Sequence, residues 1–377
     1  MAKAFESAEN TPSSSHFSPN QQTSNQISEH LLPERQQLLL NNLAPVAAID
    51  PSVPLLYEYS DHSRLSEDLS EYIVQSQEQA ISRHQKFVIA ISGGSLPKLL
   101  TDGLLKNSRV KWESWKVFFA DERVVPLEHA DSNFASAMDC FLSKAPIKRS
   151  QIISIMSLPP EDVDFADMTP MISSIYEAQI LDELETNATD PIPRFDLILL
   201  GMGEDGHTCS LFPSHPLLEG RTDATVAWID DSPKPPKYRI TLTLPVINAA
   251  HDLAFVCTGG GKSSMLAAVL EEEQSNVRPA SLIRLKDRPL AWFVDCDAAS
   301  KTTHRREDWG KTSVGLLSTL NFSPPKKISE QVITRDQDIE TSEEISNSKM
   351  ISETQEPAAE ALALKPNTMV CSIIILV

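Results

Sequence analysis

The sequence predicts an α/β fold: a doubly wound, largely parallel sheet with helices on both faces, flanked by disordered N- and C-terminal tails. Short apolar runs recur at residues 87–91 (FVIAI), 115–120 (WKVFFA), 195–200 (FDLILL), 253–258 (LAFVCT) and 290–294 (LAWFV). They are too short for two-faced helices and too apolar for half-exposed strands, so they read as central strands of a parallel sheet. Helical periodicity fills the gaps between them, which gives the alternation of a doubly wound domain. Glycines or charged residues follow most of these runs directly, at the carboxyl ends where open α/β sheets bind ligands.

Residues 1 to about 50 are rich in Ser, Asn and Gln with few aromatics, and read as a disordered arm. The single folded domain is expected over residues 51–310. Apolar residues Leu65, Leu69, Tyr72, Ile73, Ala80 and Ile81 fall at helical spacing and predict a first amphipathic helix over 64–81. The strand at 87–91 runs into Ser92, Gly93, Gly94 and Ser95, with Pro97 in the first turn of a following helix and Ser95 as its N-cap. Strand, small-residue turn and helix start present free N–H groups and hydroxyls to an anion; the same residues also suit an ordinary turn that needs glycine.

The strand at 115–120 leads into a charged loop, Asp121-Glu122-Arg123, at the ligand edge. A helix is expected at 133–142, a strand at 152–156, and a helix at 170–184 with Thr169 as N-cap and Pro170 first. Next come a proline-rich connection at 232–237, a strand at 238–245, and the strand at 253–258 ending in Gly259-Gly260-Gly261-Lys262. That ending is not a P-loop, because the position five before Gly261 is Val256, but a lysine at a glycine turn can bind one phosphate as a point charge. Beyond residue 310 the chain is acidic and poor in apolar residues, so 311–377 read as a disordered tail.

The central stretch is 195–213, FDLILLGMGEDGHTCSLFP. Gly201, Gly203 and Gly206 satisfy G-x-G-x-x-G, yet Glu204 and Asp205 would set two carboxylates beside a pyrophosphate, which disfavours a dinucleotide site. Two readings remain: a tight turn with solvated acids, or a catalytic loop carrying Asp205 and His207.

Composition narrows the partners. The 377 residues carry a formal charge of −19 and no basic run that could track phosphates, which excludes nucleic acid. An anionic substrate would therefore need a local cation cluster. Five scattered cysteines without a C-x-x-C pair indicate a reducing compartment and no zinc site, and cytoplasm is the default. No apolar run reaches the ~20 residues of a membrane span. Oligomeric state is not legible.

Five blocks carry a family resemblance: SGGS at 92–95, DERVVP at 121–126, GMGEDGHTCSLFP at 201–213, RITLTLPVIN at 239–248 and GGGK at 259–262. In this order they resemble the 6-phosphogluconolactonase family. The resemblance implies hydrolysis of a sugar-phosphate lactone in the pentose phosphate pathway with no cofactor or metal, on the fold shared with glucosamine-6-phosphate deaminases and ribose-5-phosphate isomerases. It also implies His207 as general base, Asp205 orienting it or holding the water, and Asp121 and Arg123 in the catalytic group, Arg123 offsetting charge on the carbonyl oxygen. Arg239, Lys262 and the Ser92–Ser95 turn would hold the phosphate. The rivals are a glucosamine-6-phosphate deaminase-like isomerase, whose loop would continue differently after the histidine, and a non-catalytic sugar-phosphate sensor.

The scatter of His, Cys and Asp over the sequence, with no set at metal-ligand spacing, generates a test. Hydrolysis of the lactone should continue unchanged in excess chelator. Loss of turnover, restored by a divalent ion, would contradict it.

Overall fold

A computed structural model describes residues 50–159, 164–184, 186, 191–219, 224–275 and 277–312. The expected arm and acidic tail lie almost wholly outside the described residues. The elements in chain order are β1 (Leu55–Tyr59), α1 (His62–His84), β2 (Phe87–Ile91), α2 (Leu96–Leu104), β3 (Trp115–Phe119), β4 (Asp121–Arg123), α3 (Asn133–Ala137) and α4 (Thr169–Glu183). They continue with β5 (Leu197–Leu200), β6 (Val226–Ile229), β7 (Arg239–Leu242), α5 (Leu244–Ala249), β8 (Asp252–Cys257), α6 (Ser263–Glu271), β9 (Ala291–Asp295) and α7 (Cys296–Ala299).

Six strands form one sheet in the order β1-β9-β8-β5-β2-β3, every pair parallel. From β2 the chain moves outward to β3, then returns to β5 and proceeds the other way through β8 and β9. The order therefore reverses between β2 and β5, where a doubly wound sheet leaves a crevice. Side chains alternate between two cores. Phe87, Ile89, Leu197 and Leu199 face one core with Leu65, Leu69, Leu96 and Leu100 of α1 and α2. Val88, Ala90, Ile198 and Leu200 face the other with Tyr176 and Ile180 of α4 and Leu266 of α6.

The second sheet, β4-β7-β6, is antiparallel and was not expected. Asp121-Glu122-Arg123, predicted as a loop, is its edge strand, paired so that Asp121 lies opposite Thr241 and Arg123 opposite Arg239. Ala120 joins the two sheets: its N–H donates to the Ile91 carbonyl at 2.9 Å, and its own carbonyl accepts from the Leu242 N–H at 2.8 Å.

Other expectations are corrected locally. Residues 152–156 form no strand; Ile152 makes one isolated bridge to Val117. The helix at 133–142 is α3 followed by a π turn, Met138–Leu142. The strand at 238–245 stops at Leu242, because Pro245 opens α5. Thr169 is the first residue of α4, and its hydroxyl donates back to the Phe165 carbonyl rather than capping. Ser95 occupies the N-cap position of α2 in a helical conformation, without a side-chain cap bond. Strand β1 was not anticipated at all.

Between β8 and β9, the Phe255 and Trp292 rings stack with centroids 4.0 Å apart and no solvent exposure. Phe255→Ala should lower stability by about 3–5 kcal/mol. Chemical denaturation measures it, and a loss below 1 kcal/mol would mean that this face of the sheet is not the packed core described.

Candidate active site

At the carboxyl edge, where β2 and β5 lie side by side, a cleft of about 310 Å³ opens. Ser92 donates its N–H to the Leu199 carbonyl at 3.0 Å, so the turn after β2 is held against the end of β5. The cleft brings together Ser92, Gly93, Gly94, Ser95, Asp121, Arg123, His207, Arg239 and Lys262. Nine of the ten residues predicted for the site thus share one cavity; the tenth, Asp205, stands behind His207 as its partner.

The loop after β5 is folded on itself. Gly203 donates its N–H to the His207 carbonyl at 2.9 Å, and Gly206 donates to the Gly203 carbonyl at 3.1 Å. Gly206 has φ +81°, a conformation costly for other residues. Gly203 is needed for space: a Cβ there would lie 2.1 Å from His207 Cε1 and Nδ1. The tightness presses the imidazole against its partner, and Nδ1 of His207 is hydrogen-bonded to Oδ1 of Asp205.

Burial opposes ionisation of Asp205, but His207 and Lys234 outweigh it and pull the carboxyl down to about 2. An ionised Asp205 can only accept, so Nδ1 carries the ring proton. That leaves Nε2 as the basic nitrogen. Burial, reinforced by Lys234, holds the imidazole below its ordinary value of 6.5, against the opposing pull of Asp205 and Asp121. The ring is therefore neutral near pH 7. Phe212 packs on it with ring centroids 4.9 Å apart.

Lys234 is the functional residue that sequence reasoning missed. Its Nζ lies 3.0 Å from Asp205 Oδ2 and 3.3 Å from His207 Nδ1. The available signal was a lysine fenced by Pro233 and Pro235 ahead of a strand at the ligand edge. Arg239, expected to hold phosphate, has most of its donors engaged otherwise: Nε donates to Pro236 O at 3.0 Å, and Nη2 to Lys234 O at 3.1 Å and Pro235 O at 2.8 Å. Its guanidinium carbon sits 5.5 Å from the Phe212 ring centre. Arg239 thus anchors the Lys234 loop, and its Nη1 amine remains for an anion.

On β4, Asp121 is buried and accepts from Ser210 Oγ at 2.9 Å and Asn133 Nδ2 at 3.3 Å. Arg123 donates from Nη1 to the Asp131 carbonyl at 2.6 Å, while its Nε is buried without a partner among the described residues. Ser92 Oγ is likewise buried, with the Cys209 thiol beside it and no other hydrogen-bond partner among the described residues. Such orphaned polar atoms at a cleft wall are what a polar ligand satisfies. Lys262, at the start of α6, is half-buried in the opposite wall. The cation cluster that an acidic protein needs for an anion is therefore Arg123, Arg239 and Lys262, while the Lys234 ammonium is engaged by Asp205.

A family model described as glucosamine-6-phosphate isomerases/6-phosphogluconolactonase matches residues 60–292. The chain is similar to the probable 6-phosphogluconolactonase of Schizosaccharomyces pombe, 41% identical over 65% of this chain and 95% of that one. It is also similar to the 6-phosphogluconolactonase of Homo sapiens, 37% identical over 67% of this chain and 95% of the other. Among solved structures, the 6-phosphogluconolactonase of Trypanosoma brucei superposes with a TM-score of 0.57 at 25% identity, covering 66% of this chain and 98% of that one.

The His207 pair can be tested without substrate. By NMR the imidazole should titrate below 6.5, and Asp205→Asn should lower it further, because it removes the anion that raises it. An upward movement in Asp205→Asn would show that the two side chains are not paired in solution.

Proposed function

The chain belongs to the glucosamine-6-phosphate isomerase/6-phosphogluconolactonase family, and we propose that it hydrolyses 6-phospho-D-glucono-1,5-lactone to 6-phosphogluconate in the oxidative pentose phosphate pathway. The activity rests on relatives of that name that match almost end to end. The observation that supports the assignment of roles is the His207–Asp205 pair, whose Nε2 has no protein partner among the described residues, in a cleft lined by cations.

Nε2 of His207 accepts a proton from a water molecule as that water attacks the C1 carbonyl of the lactone. The carbonyl oxygen takes up negative charge in the tetrahedral intermediate, and the Arg123 guanidinium offsets it. When the intermediate collapses, the bond from C1 to the ring oxygen breaks and the imidazolium returns its proton to that oxygen. The products are a carboxylic acid at C1, which loses its remaining proton to solvent to become the carboxylate, and a hydroxyl at C5. Asp205 holds the ring in the required tautomer and stabilises the imidazolium between the two proton transfers.

The phosphate end is assigned to the Ser92–Ser95 turn, Lys262 and Nη1 of Arg239. Strand β2, a glycine turn and the start of α2 supply N–H groups and hydroxyls, and Lys262 approaches from the adjacent α6. A small sugar phosphate is thus the partner, and the formal charge of −19 argues against nucleic acid. The scatter of five cysteines without a C-x-x-C pair supports placing the activity in the reducing cytosol. No described helix is long and apolar enough to cross a membrane.

Hydrolysis of freshly generated lactone, measured against its spontaneous opening, tests the assignment. His207→Ala should lower kcat by roughly 10²–10⁴ with KM nearly unchanged. Lys262→Ala should chiefly raise KM, by about tenfold to a hundredfold, the loss of one charge-assisted contact. If His207→Ala keeps near-normal kcat while Asp121 or Asp205 substitutions abolish it, the base is a carboxylate. A chain with no turnover at all would be a sensor.

A further inference from the structure

We propose that Lys234 is a positioning residue for this reaction: its ammonium clamps Asp205 onto His207 and, standing beside Nδ1, opposes a second proton on the ring. The proposal rests on the reading of His207 as the base.

Geometry carries it. With Nδ1 donating to Asp205, that nitrogen has no lone pair in the ring plane for Lys234. The 3.3 Å approach of Nζ to Nδ1 is therefore a charge contact, while the hydrogen bond of the lysine goes to Asp205 Oδ2 at 3.0 Å. Asp205 is thus divided, with Oδ1 on the histidine and Oδ2 on the lysine. It cannot rotate away from the ring without breaking both contacts.

The lysine is held in place for this. Its carbonyl accepts from Ser232 Oγ at 2.7 Å and from Arg239 Nη2 at 3.1 Å, and its N–H donates to Ser232 Oγ at 3.3 Å. Pro233 and Pro235 restrict the backbone on either side. Arg239 is buried and packs on Phe212, which packs in turn on His207. A closed frame results, running from Arg239 through the Lys234 loop to Asp205, His207, Phe212 and back.

Stability is a poor explanation for the contact. The Lys234 and Asp205 side chains are 43% and 35% exposed, and ion pairs so open to water stabilise little. The groups facing the imidazole are Asp205 from its own loop, Lys234 from the loop before β7 and Asp121 from β4, with Arg239 behind Phe212. Two carboxylates favour a charged ring and would make it a poor base on the acid side of neutrality. Lys234 is the cation close enough to counter them.

The test uses the full chain with Lys234→Met, which keeps the length and removes the charge, and Lys234→Arg, which restores the charge. Both are read by the pH profile of kcat/KM and by NMR titration of His207 in the free protein. In Lys234→Met the acid limb should move to higher pH, with about a tenfold loss at the acid end that closes as pH rises. The His207 midpoint should rise in parallel, KM should hold, and Lys234→Arg should restore both. A rise in KM at every pH, with neither limb nor midpoint moved, would make Lys234 a substrate contact and overturn the proposal. Failure of both variants to fold would also overturn it, by making the lysine a structural part of its loop. If the midpoint moves but the kinetic limb does not, the hold of Lys234 on the ring is upheld and His207 is not the base.

Discussion

The hydrogen bond from His207 to Asp205 is the interaction on which the rest of the site depends, and it exists because Gly203 has no side chain. The loop leaves fully buried β5 and must return His207 across its own backbone within six residues. A fixed strand end sets where the turn starts, and its far side is tied down as well. Thr208 Oγ1 donates to the Gly201 carbonyl at 2.9 Å, and the Ala280 N–H donates to the Gly206 carbonyl at 2.9 Å. The loop that carries the imidazole is thereby tied at both ends, the kind of preorganisation that the proposed proton transfers require.

The second sheet supplies what the first cannot. A parallel sheet presents strand ends and helix starts at its carboxyl edge, all on one side of a ligand. Strands β4 and β7 raise a wall on the other side and bring Asp121, Arg123 and Arg239 to face the β5 loop. The hinge is Ala120, whose N–H belongs to one sheet and whose carbonyl belongs to the other. From there Ser210 Oγ reaches Asp121 Oδ2 at 2.9 Å, so the histidine loop and the wall are joined directly. Residues of the candidate site from distant parts of the sequence are in this way placed by backbone pairing rather than by flexible contacts.

The parts legible in the sequence are those decided by burial alone. Strands β2, β3, β5, β8 and β9 are covered on both faces, and continuous apolar runs announce them. Elements decided by long-range pairing were not legible. Asp121-Glu122-Arg123 has no strand propensity and is extended only because β7 pairs with it. Ile152 has the propensity, but a single bridge to Val117 is all that the fold offers it. The site followed the same division. Residues on glycine turns after strands could be found because the turn chemistry marks the ligand edge, whereas Lys234, 27 residues from its histidine, sits in a proline-rich connection whose place before a strand points to that edge without naming the partner it meets there. Arg239 lines the cleft, yet its hold on that connection depends on carbonyls three to five residues upstream.

Glu122 shows why a perturbed carboxyl beside a cleft does not by itself identify the base. Burial pushes it up to about 7, a value well suited to taking a proton at neutral pH. Its oxygens, however, are occupied. Oε1 accepts from the N–H groups of Arg123 and Asn133, both at 2.8 Å, and Oε2 accepts from the Phe134 N–H at 2.8 Å and Ser132 Oγ at 3.3 Å. These donors include the start of α3, so the carboxylate is consumed in fixing that helix, and through Asn133 it fixes Asp121. Glu122 is absent from the cleft wall, whereas His207 lines it with one nitrogen satisfied by protein and the other unoccupied. A raised carboxyl and a lowered imidazole are both able to accept a proton near neutrality, so proton affinity does not choose between them. Access to the cleft does distinguish them, and it supports the proposed role of the histidine.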